Sequence, residues 1–543
     1  MSSPSTVDTP VLIVGGGPVG LALALDLGWR GIACHLVEQG DGSIEHPKAT
    51  AENARTLEIF RRWGIADRVC ATASPDVSYN ALYCTSLTGY EIARVERPGH
   101  GGRGPSRHSP ERAQRCNQLW LDPILREAAR SHDCVRLDYG TRFLSCAERS
   151  DGILAELEDV ATGARRRIAA RYLVDCSGGR SAIRRSLGIE MSGDSALDYH
   201  TSLFLRAPKL WSYHDKGQAA LISFVDEKGI WRNLVQLDAE LWRFTASGKA
   251  LYDSAGEGEL NAMFDEAVGT RVPREVISTG RWTAHDVVAD RFRSGRVLLA
   301  GDAAHLNHPN GGHGLNTGIG DAADLGWMLA ALVEGWGGST LLEAYEQERR
   351  PVALLAVGEA SRTHRAWRMP SHPAIREAGE AGEAARRDVG ERLQALLRQV
   401  VLTEGLALGY SYDRSTLVWS DGTPVPVPDC AAYRPTTRPG VRAPHGWIAE
   451  GRSILDLFGR GFVLLRFGSD APAADALAAA FGARRIPLAI ESIGDPDLAR
   501  LYERKLVLVR PDGHVAWRGD TLPADPAALA DRVRGMAAET VPS

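Results

Sequence analysis

The residues best suited to chemistry concentrate in one stretch, residues 301–323, which reads GDAAHLNHPNGGHGLNTGIGDAA. An apolar run at 296–300 with the look of a buried strand precedes it. After it, Ile319, Ala322, Ala323, Gly326, Leu329, Ala330 and Val333 recur at the three- and four-residue spacing of a helix. Strand, glycine-rich loop and helix start together leave backbone N–H groups unpaired and aimed at whatever occupies the loop. Gly311, Gly312 and Gly314 let main chain approach a ligand where a Cβ would collide. Asp302 has the wrong charge for a phosphate but can accept from sugar hydroxyls. The combination suits a ligand with a polyol segment and a ring that becomes anionic beside a helix N-terminus, and reduced flavin meets that description. His305, His308 and His313 lie within nine residues of one another and raise the alternative of a metal. A Gly/Asn/Pro loop offers no rigid face to hold three imidazoles around an ion, so no metal is expected.

A second glycine cluster stands near the N-terminus. The apolar run at 10–14 opens into Gly15-Gly16-Gly17-Pro18-Val19-Gly20, a G-x-G-x-x-G between a strand and an apolar helix at 21–27. A further strand at 32–37 ends in Glu38, eighteen residues after Gly20, where a dinucleotide fold places the acid that accepts from a ribose hydroxyl. Gly15 then makes the tight turn, Gly17 admits a pyrophosphate and Gly20 lets helix pack on strand. Only one such cluster is present, so there is one dedicated dinucleotide site and no second fold for a reductant.

The elements that position these loops require more than one core, since 543 residues exceed an ordinary domain. A net charge of −5 gives no reason to expect nucleic acid or an acidic membrane as partner. No apolar run approaches the length of a transmembrane helix, and MSSPSTVDTP lacks a signal-peptide pattern. Eight scattered cysteines without a C-x-x-C pair read as reduced thiols of a cytoplasmic protein. Residues 74–112 lose helical periodicity and turn rich in Gly, Pro, Arg and Ser, as a mobile loop would. Alternating runs at 135–144, 152–159 and 166–174 read as an antiparallel flap. From 190 to 290 the chain reads as strands carrying Trp211, Tyr213, Phe224, Trp231, Trp242, Phe244 and Trp282, a density that suits a cover for a flat ligand and equally a plain core. Helices at 352–402, a Pro-rich linker at 423–444 and a last αβ unit with a hairpin at Asp512-Gly513 complete the chain.

Residues 301–316 resemble the second flavin fingerprint of the class A flavoprotein aromatic hydroxylases, the para-hydroxybenzoate and phenol hydroxylase family, in which GDAAH is followed by P-x-G-G-x-G-x-N. The resemblance extends over nearly the whole chain. HPKA at 46–49 with Arg55 is similar to the family's H-P-R-A…R-T-M-E. RCNQLWLDPIL at 115–125 is similar to its Q-x-x-L-E-P-x-L, with Asp122 in the acid position, and LLEAYEQERRP at 341–351 to its closing segment. YLVDCSGGRSAIR at 172–184 resembles the third fingerprint, with Ser177 where the family carries the aspartate of D-G-x-x-S-x-V-R. By resemblance Asp302 binds the ribityl chain and Gln118 lies against it, while Pro309, Gly312, Gly314, Leu315 and Asn316 border the isoalloxazine. Arg55, Pro309 and His313 are then expected close to the chemistry. Gly15, Gly17, Pro18, Gly20 and Glu38 complete the cofactor set. Asp175, on the same strand face as Ser177, is expected to stand in partly for the missing aspartate toward the reductant.

The implied fold is α/β: a FAD-binding Rossmann-like domain of the glutathione reductase type (1–78, 113–190, 290–402), an inserted β-sheet substrate domain (79–112, 191–289) and a thioredoxin-like C-terminal domain (423–543) with a packing or homodimer role. The implied activity is a FAD-dependent monooxygenase in which NADPH or NADH binds transiently, O₂ forms a flavin C4a-hydroperoxide, and an aromatic ring is hydroxylated. DGSIEHP at 41–47 resembles the branch that tailors polycyclic aromatic polyketides, which favours a phenolic or quinone-like polycycle. Baeyer–Villiger insertion or epoxidation stays open within this chemistry. A flavoprotein for electron transfer or sensing is the alternative outside it.

Overall fold

A computed structural model describes residues 7–72, 80–95, 106–368 and 371–536, with the side chains of 398–401 outside the description. Much of the loop expected within 74–112 therefore lies outside the described residues.

Strand Thr9–Val14 is apolar from Pro10 onward because both faces of its sheet are covered. It is central in a parallel array ordered Val297–Leu299, Arg165–Asp175, Thr9–Val14, Cys34–Glu38, Val135–Tyr139, with Arg293–Ser294 antiparallel at one edge. Thr141–Glu148 and Ile153–Asp159 add the antiparallel flap. The run at 135–144 is two strands rather than one, because Gly140 turns the chain between them at φ +66°. Helix Pro18–Arg30 packs on the central strands, and helix His313–Glu334 packs against it in the same core. Val19 is the wedge between them. A Cβ at Gly301 or Gly318 would stand 2.8 or 2.5 Å from Val19 Cγ2, and one at Gly326 would stand 1.9 Å from Asp26 Oδ2. Missing side chains on the second helix thus bring two motifs far apart in sequence into one groove.

The second sheet is ordered His305–Leu306, Glu275–Ala289, Met191–Arg206, Leu241–Ser247, Gly229–Gln236, Leu221–Asp226, Ala81–Cys84, Glu91–Val95. Its register separates the two faces by the two-residue period of a strand. Leu203 opposite Phe244, Leu205 opposite Trp242 and Ile222 opposite Leu234 form the buried outer face. Helix Glu257–Val268, which the strand-like reading of 190–290 did not anticipate, covers that face through Leu260, Phe264, Ala267 and Val268. His200, Ser202, Phe204, Arg243 and Thr245 alternate onto the other side, the side that meets the flavin-motif loops. Most of the aromatic run is therefore core: Phe224, Trp242 and Phe244 are fully buried in the outer cluster, with Trp211, Tyr213 and Trp231 packed against it.

The C-terminal unit is a four-stranded sheet ordered Leu488–Ile493, Phe462–Phe467, Leu506–Val509, Val515–Gly519, flanked by Asp475–Ala483, Pro496–Tyr502 and Pro526–Val533 in a thioredoxin-like arrangement. Its hairpin is tied to the rest by buried charge. Arg510 grips Glu348 with both Nη atoms at 2.6 and 2.7 Å, Arg442 pairs with Glu58, and the Asp512 carbonyl accepts from Arg55 Nη2 at 2.6 Å. Removing one member of such a pair leaves an uncompensated buried charge, at a cost of about 3–5 kcal/mol.

Candidate active site

The first glycine motif divides by task. A Cβ at Gly15 would meet the Cys176 carbonyl oxygen at 2.4 Å, and one at Gly20 would meet the Gly15 carbonyl oxygen at 2.0 Å, so both positions serve chain packing. At Gly17 a Cβ would meet nothing within 4 Å. Gly17 caps helix Pro18–Arg30 without any side-chain hydrogen bond, and Pro18 fills the first turn where its missing N–H costs nothing. The unpaired amides of that turn face open space, which is where a pyrophosphate fits. Glu38 ends the neighbouring strand, with Oε2 accepting from Gly16 N–H and Oε1 from Gly40 N–H, both at 2.7 Å. It is half-buried, and each carboxylate oxygen keeps a lone pair for a ribose hydroxyl.

At the other end of the groove, Asp302 lies on the short turn Gly301–Ala303. Solvent reaches its side chain, yet desolvation by the protein around it raises its pKa above the ordinary carboxylate range. Gly312, at φ +70°, starts helix His313–Glu334 without a side-chain cap, leaving the amides of Gly314 and Leu315 available. Pro309 is exposed at the loop tip. The Asn316 side chain is fully committed to protein. Its Oδ1 accepts from Asn53 N–H and Thr56 Oγ1 at 2.8 and 2.7 Å, and its Nδ2 donates to the Ala51 and Gly312 carbonyls at 3.0 and 2.6 Å. Toward a ligand Asn316 can offer main chain only. Gln118, at the start of Gln118–Arg130, accepts from Lys48 N–H at 3.3 Å and braces the 46–49 loop. These residues fit FAD: an open pyrophosphate cradle, an acid at each sugar end, and a helix N-terminus for the ring.

Three of the expected residues are engaged within the protein. Arg55 is 7% exposed, its charge held by Glu58 at 3.0 Å and its other arm by the Asp512 carbonyl, so it secures the seam to the C-terminal unit. Asp175 is fully buried and takes up Ser177 N–H at 3.0 Å, Ser177 Oγ at 2.6 Å and the Ser181 hydroxyl. It caps a local turn and does not face a reductant. His313 is buried and pushed down to about 4, so at neutral pH it is an uncharged imidazole.

The three histidines considered for a metal diverge. His305 Nε2 lies 2.8 Å from Asp321, which also accepts from Gly301 N–H at 3.0 Å and Arg349 Nε at 2.8 Å. His308 instead joins groups the sequence did not mark, His200, Asp198 and His364. His46 docks the 46–49 loop to the second sheet through Ser202 at 2.9 Å and Ser278 at 3.2 Å. Period-two alternation in 191–206 was the one signal that could have found His200. His364 stands in a helix whose pattern gives no hint of its neighbours.

One dinucleotide cradle joined to a flavin-facing loop, roofed by a separate sheet, defines a flavoprotein oxidoreductase. The FAD binding domain family matches residues 8–360, and the C-terminal family of aromatic-ring hydroxylases matches 436–539. A tetracenomycin B2 monooxygenase-dioxygenase of Streptomyces olivaceus is 33% identical over 563 residues, covering 97% of this chain and 98% of that protein. A putative polyketide hydroxylase of Streptomyces coelicolor is 32% identical over 612 residues, covering 97% and 96%. Among solved structures, the protein RebC bound to 7-carboxy-K252c superposes with a TM-score of 0.90 at 40% identity, covering 97% of this chain and 99% of that one. The chain belongs to the FAD-dependent aromatic-ring hydroxylases; it is a monooxygenase with FAD as cofactor. None of its helices, among the described residues, is long and apolar enough to cross a membrane.

Proposed function

We propose that this protein uses NADPH or NADH and O₂ to hydroxylate a phenolic or quinone-like polycycle of the kind its polyketide-tailoring relatives handle, as a cytoplasmic enzyme that can pair through its C-terminal unit. The carrying observation is the sheet side facing the flavin-motif loops, where His200, Ser202, Arg243, Thr245 and Trp282 set polar groups beside aromatic surface. Such a side suits a flat ring bearing hydroxyl or carbonyl groups. Eight free cysteines fit a reducing compartment. In this reading Gly17, Pro18 and Glu38 hold the adenosine diphosphate on a turn that Gly15 and Gly20 shape by packing, Asp302 and Gln118 hold the ribityl chain, and Pro309, Gly312, Gly314, Leu315 and Asn316 border the ring.

When bound, FAD supplies the electron storage and oxygen activation that amino acids lack. The chain's own part is orientation, water exclusion and charge. The amides of Gly314 and Leu315 favour negative charge on the reduced ring. Asp302 and Glu38 fix the cofactor's reach, and the loop 308–312 sets the distance between ring and substrate. The test is oxidation of NADPH and NADH by FAD-loaded protein across a panel of hydroxylated naphthalenes, anthraquinones and simple phenols. Oxidation that stays slow until a polycyclic ligand is added supports the reading. Equal rates with and without every ligand overturn it and favour a simple reductase.

A further inference from the structure

The second sheet carries a cavity on its outer face, away from the flavin motifs. Period-two alternation sends His200, Ser202 and Trp282 toward the flavin-motif loops and turns Thr201, Thr279 and Arg281 the other way, with Arg281 directly opposite Thr201. Helix Glu257–Val268 begins over these residues, and the space between them measures about 340 Å³, with Ala255 and Leu260 as its apolar wall. Three groups there are short of partners. Thr201 is 2% exposed, and its buried Oγ1 has no hydrogen-bond partner among the described residues. A buried hydroxyl is rarely left so, and one at a cavity wall marks a missing ligand or water. The helix starts at Gly256, which has no side chain to take up the first amides. A Cβ at Gly256 or Gly258 would meet nothing within 4 Å, so no protein atom crowds that turn. Arg281 Nη2 donates to the Ala255 carbonyl at 2.9 Å, which fixes the guanidinium beside the helix start; its Nε and Nη1 have no acceptor among the described residues.

A guanidinium, a hydroxyl and the free amides of a helix start together suit an oxyanion. Two acids on the same turn, Glu257 and Glu259, limit the charge it can carry. Both are exposed, and neither carboxylate makes a hydrogen bond among the described residues, so solvent screens them. Glu257 lines the cavity, and a carboxylate can only accept. It favours an oxyacid that keeps an O–H and disfavours one that is fully ionised. The volume lies at the lower end of the range for small-molecule sites, about 300–1,000 Å³, which leaves room for a small organic group behind the acid.

We propose that this cavity binds a small, singly charged oxyacid that keeps an O–H, a phosphate monoanion or its ester. One oxygen of the ligand meets the amides of the first turn, a second pairs with Arg281, and Thr201 Oγ1 bonds to it from the buried wall. The ligand's own O–H is given to Glu257. The site is separate from the dinucleotide cradle, which belongs to the first sheet and helix Pro18–Arg30. It stands behind the wall that faces the flavin-motif loops, because Thr201 and Arg281 are the chain neighbours of His200 and Trp282. Nothing in it depends on the hydroxylase reading.

The test is calorimetric titration of the FAD-loaded protein, whose pyrophosphate cradle is filled, with inorganic phosphate in mildly acidic buffer at constant ionic strength. One phosphate per chain should bind, with a dissociation constant on the order of a millimolar or below. Sulfate, which has no O–H under those conditions, should bind about tenfold more weakly or worse. Arg281→Gln and Thr201→Val should each weaken phosphate binding about tenfold or more. Thr201→Val replaces an unmet hydroxyl by a methyl of similar shape, so it should melt no earlier than the unaltered protein, and it keeps the test valid should Arg281→Gln fold poorly. Glu257→Gln should narrow the gap between phosphate and sulfate. Glycerol 3-phosphate binding more tightly than phosphate identifies an ester as the ligand, and equal affinity identifies the free ion. Absence of saturable phosphate binding overturns the proposal, as does binding that neither Arg281→Gln nor Thr201→Val weakens. Sulfate that matches phosphate in the unaltered protein overturns it as well.

Discussion

Gly17→Ala separates cofactor binding from folding more cleanly than any other change in the first motif. Gly17 sits at φ −76° and ψ −178°, a conformation open to any residue before proline, and an added methyl meets no atom within 4 Å. Cap preference and reduced chain entropy act in opposite directions there, so the stability change should stay within about 1 kcal/mol. The methyl instead fills the space where a phosphate oxygen must come to within about 3 Å of the helix amides. Losing one hydrogen bond to a charged acceptor costs about 1.5–3 kcal/mol, so FAD retention should weaken about ten- to hundredfold. Gly20→Ala is the contrast: its methyl would sit 2.0 Å from the Gly15 carbonyl oxygen, and backbone must move, at about 1–3 kcal/mol or more. Flavin-to-protein ratio after gel filtration and melting of the apoproteins read the two effects separately. A Gly17→Ala protein with full flavin, or one that melts as early as Gly20→Ala, refutes the division of labour.

Other outcomes follow from the same geometry. Glu38→Ala and Asp302→Ala should each weaken flavin retention roughly tenfold by equilibrium dialysis; unchanged occupancy in both would remove the two sugar acids from the account. Asp175→Asn should lower the melting temperature and leave the dependence of flavin reduction on NAD(P)H concentration unchanged, because its carboxylate holds Ser177 and Ser181; a weakened reductant affinity would show that it acts beyond its turn. Glu52 is buried against Cys116 N–H at 2.8 Å, and burial raises it from 4.5 to about 8. Its folded pKa exceeds its unfolded one, so its contribution is complete below pH 4.5 and is lost as pH rises to about 8, where the unfolded chain has released a proton that the folded chain held. Glu52→Gln should therefore gain on the unaltered protein across that window, by on the order of a few kcal/mol, in denaturant melts at stepped pH; a difference independent of pH contradicts a protonated Glu52.

The nucleotide half of the site was legible because its chemistry is local. Gly15 to Gly20, Glu38 and the 301–316 loop carry their backbone requirements in contiguous residues, and the apolar runs around them fix strand and helix. What stayed hidden depends on contacts between distant segments. Arg55 looks like a helix charge near a flavin motif, and only the Asp512 hairpin shows what holds it. Asp175 shares a strand face with Ser177, but no periodicity reveals that the next turn brings Ser181 onto the same carboxylate. The histidine cluster draws on residues 198, 200, 308 and 364, from elements that meet only when the second sheet folds over the first. The aromatic run at 211–282 shows the reverse difficulty: an outer core and a ligand-facing wall have the same composition, and only the register separates Trp242 from Trp282.

The central claim, oxygen transfer to an aromatic ring by a flavin enzyme, is tested most directly by isotope. FAD-loaded protein, NAD(P)H and ¹⁸O₂ are combined with the polycycle that most stimulates reductant oxidation, and product is analysed by mass spectrometry. The account predicts a product carrying one labelled oxygen, the other atom of O₂ leaving as water. Reductant oxidised with all the oxygen recovered as hydrogen peroxide, or a product whose new oxygen comes from water, contradicts it.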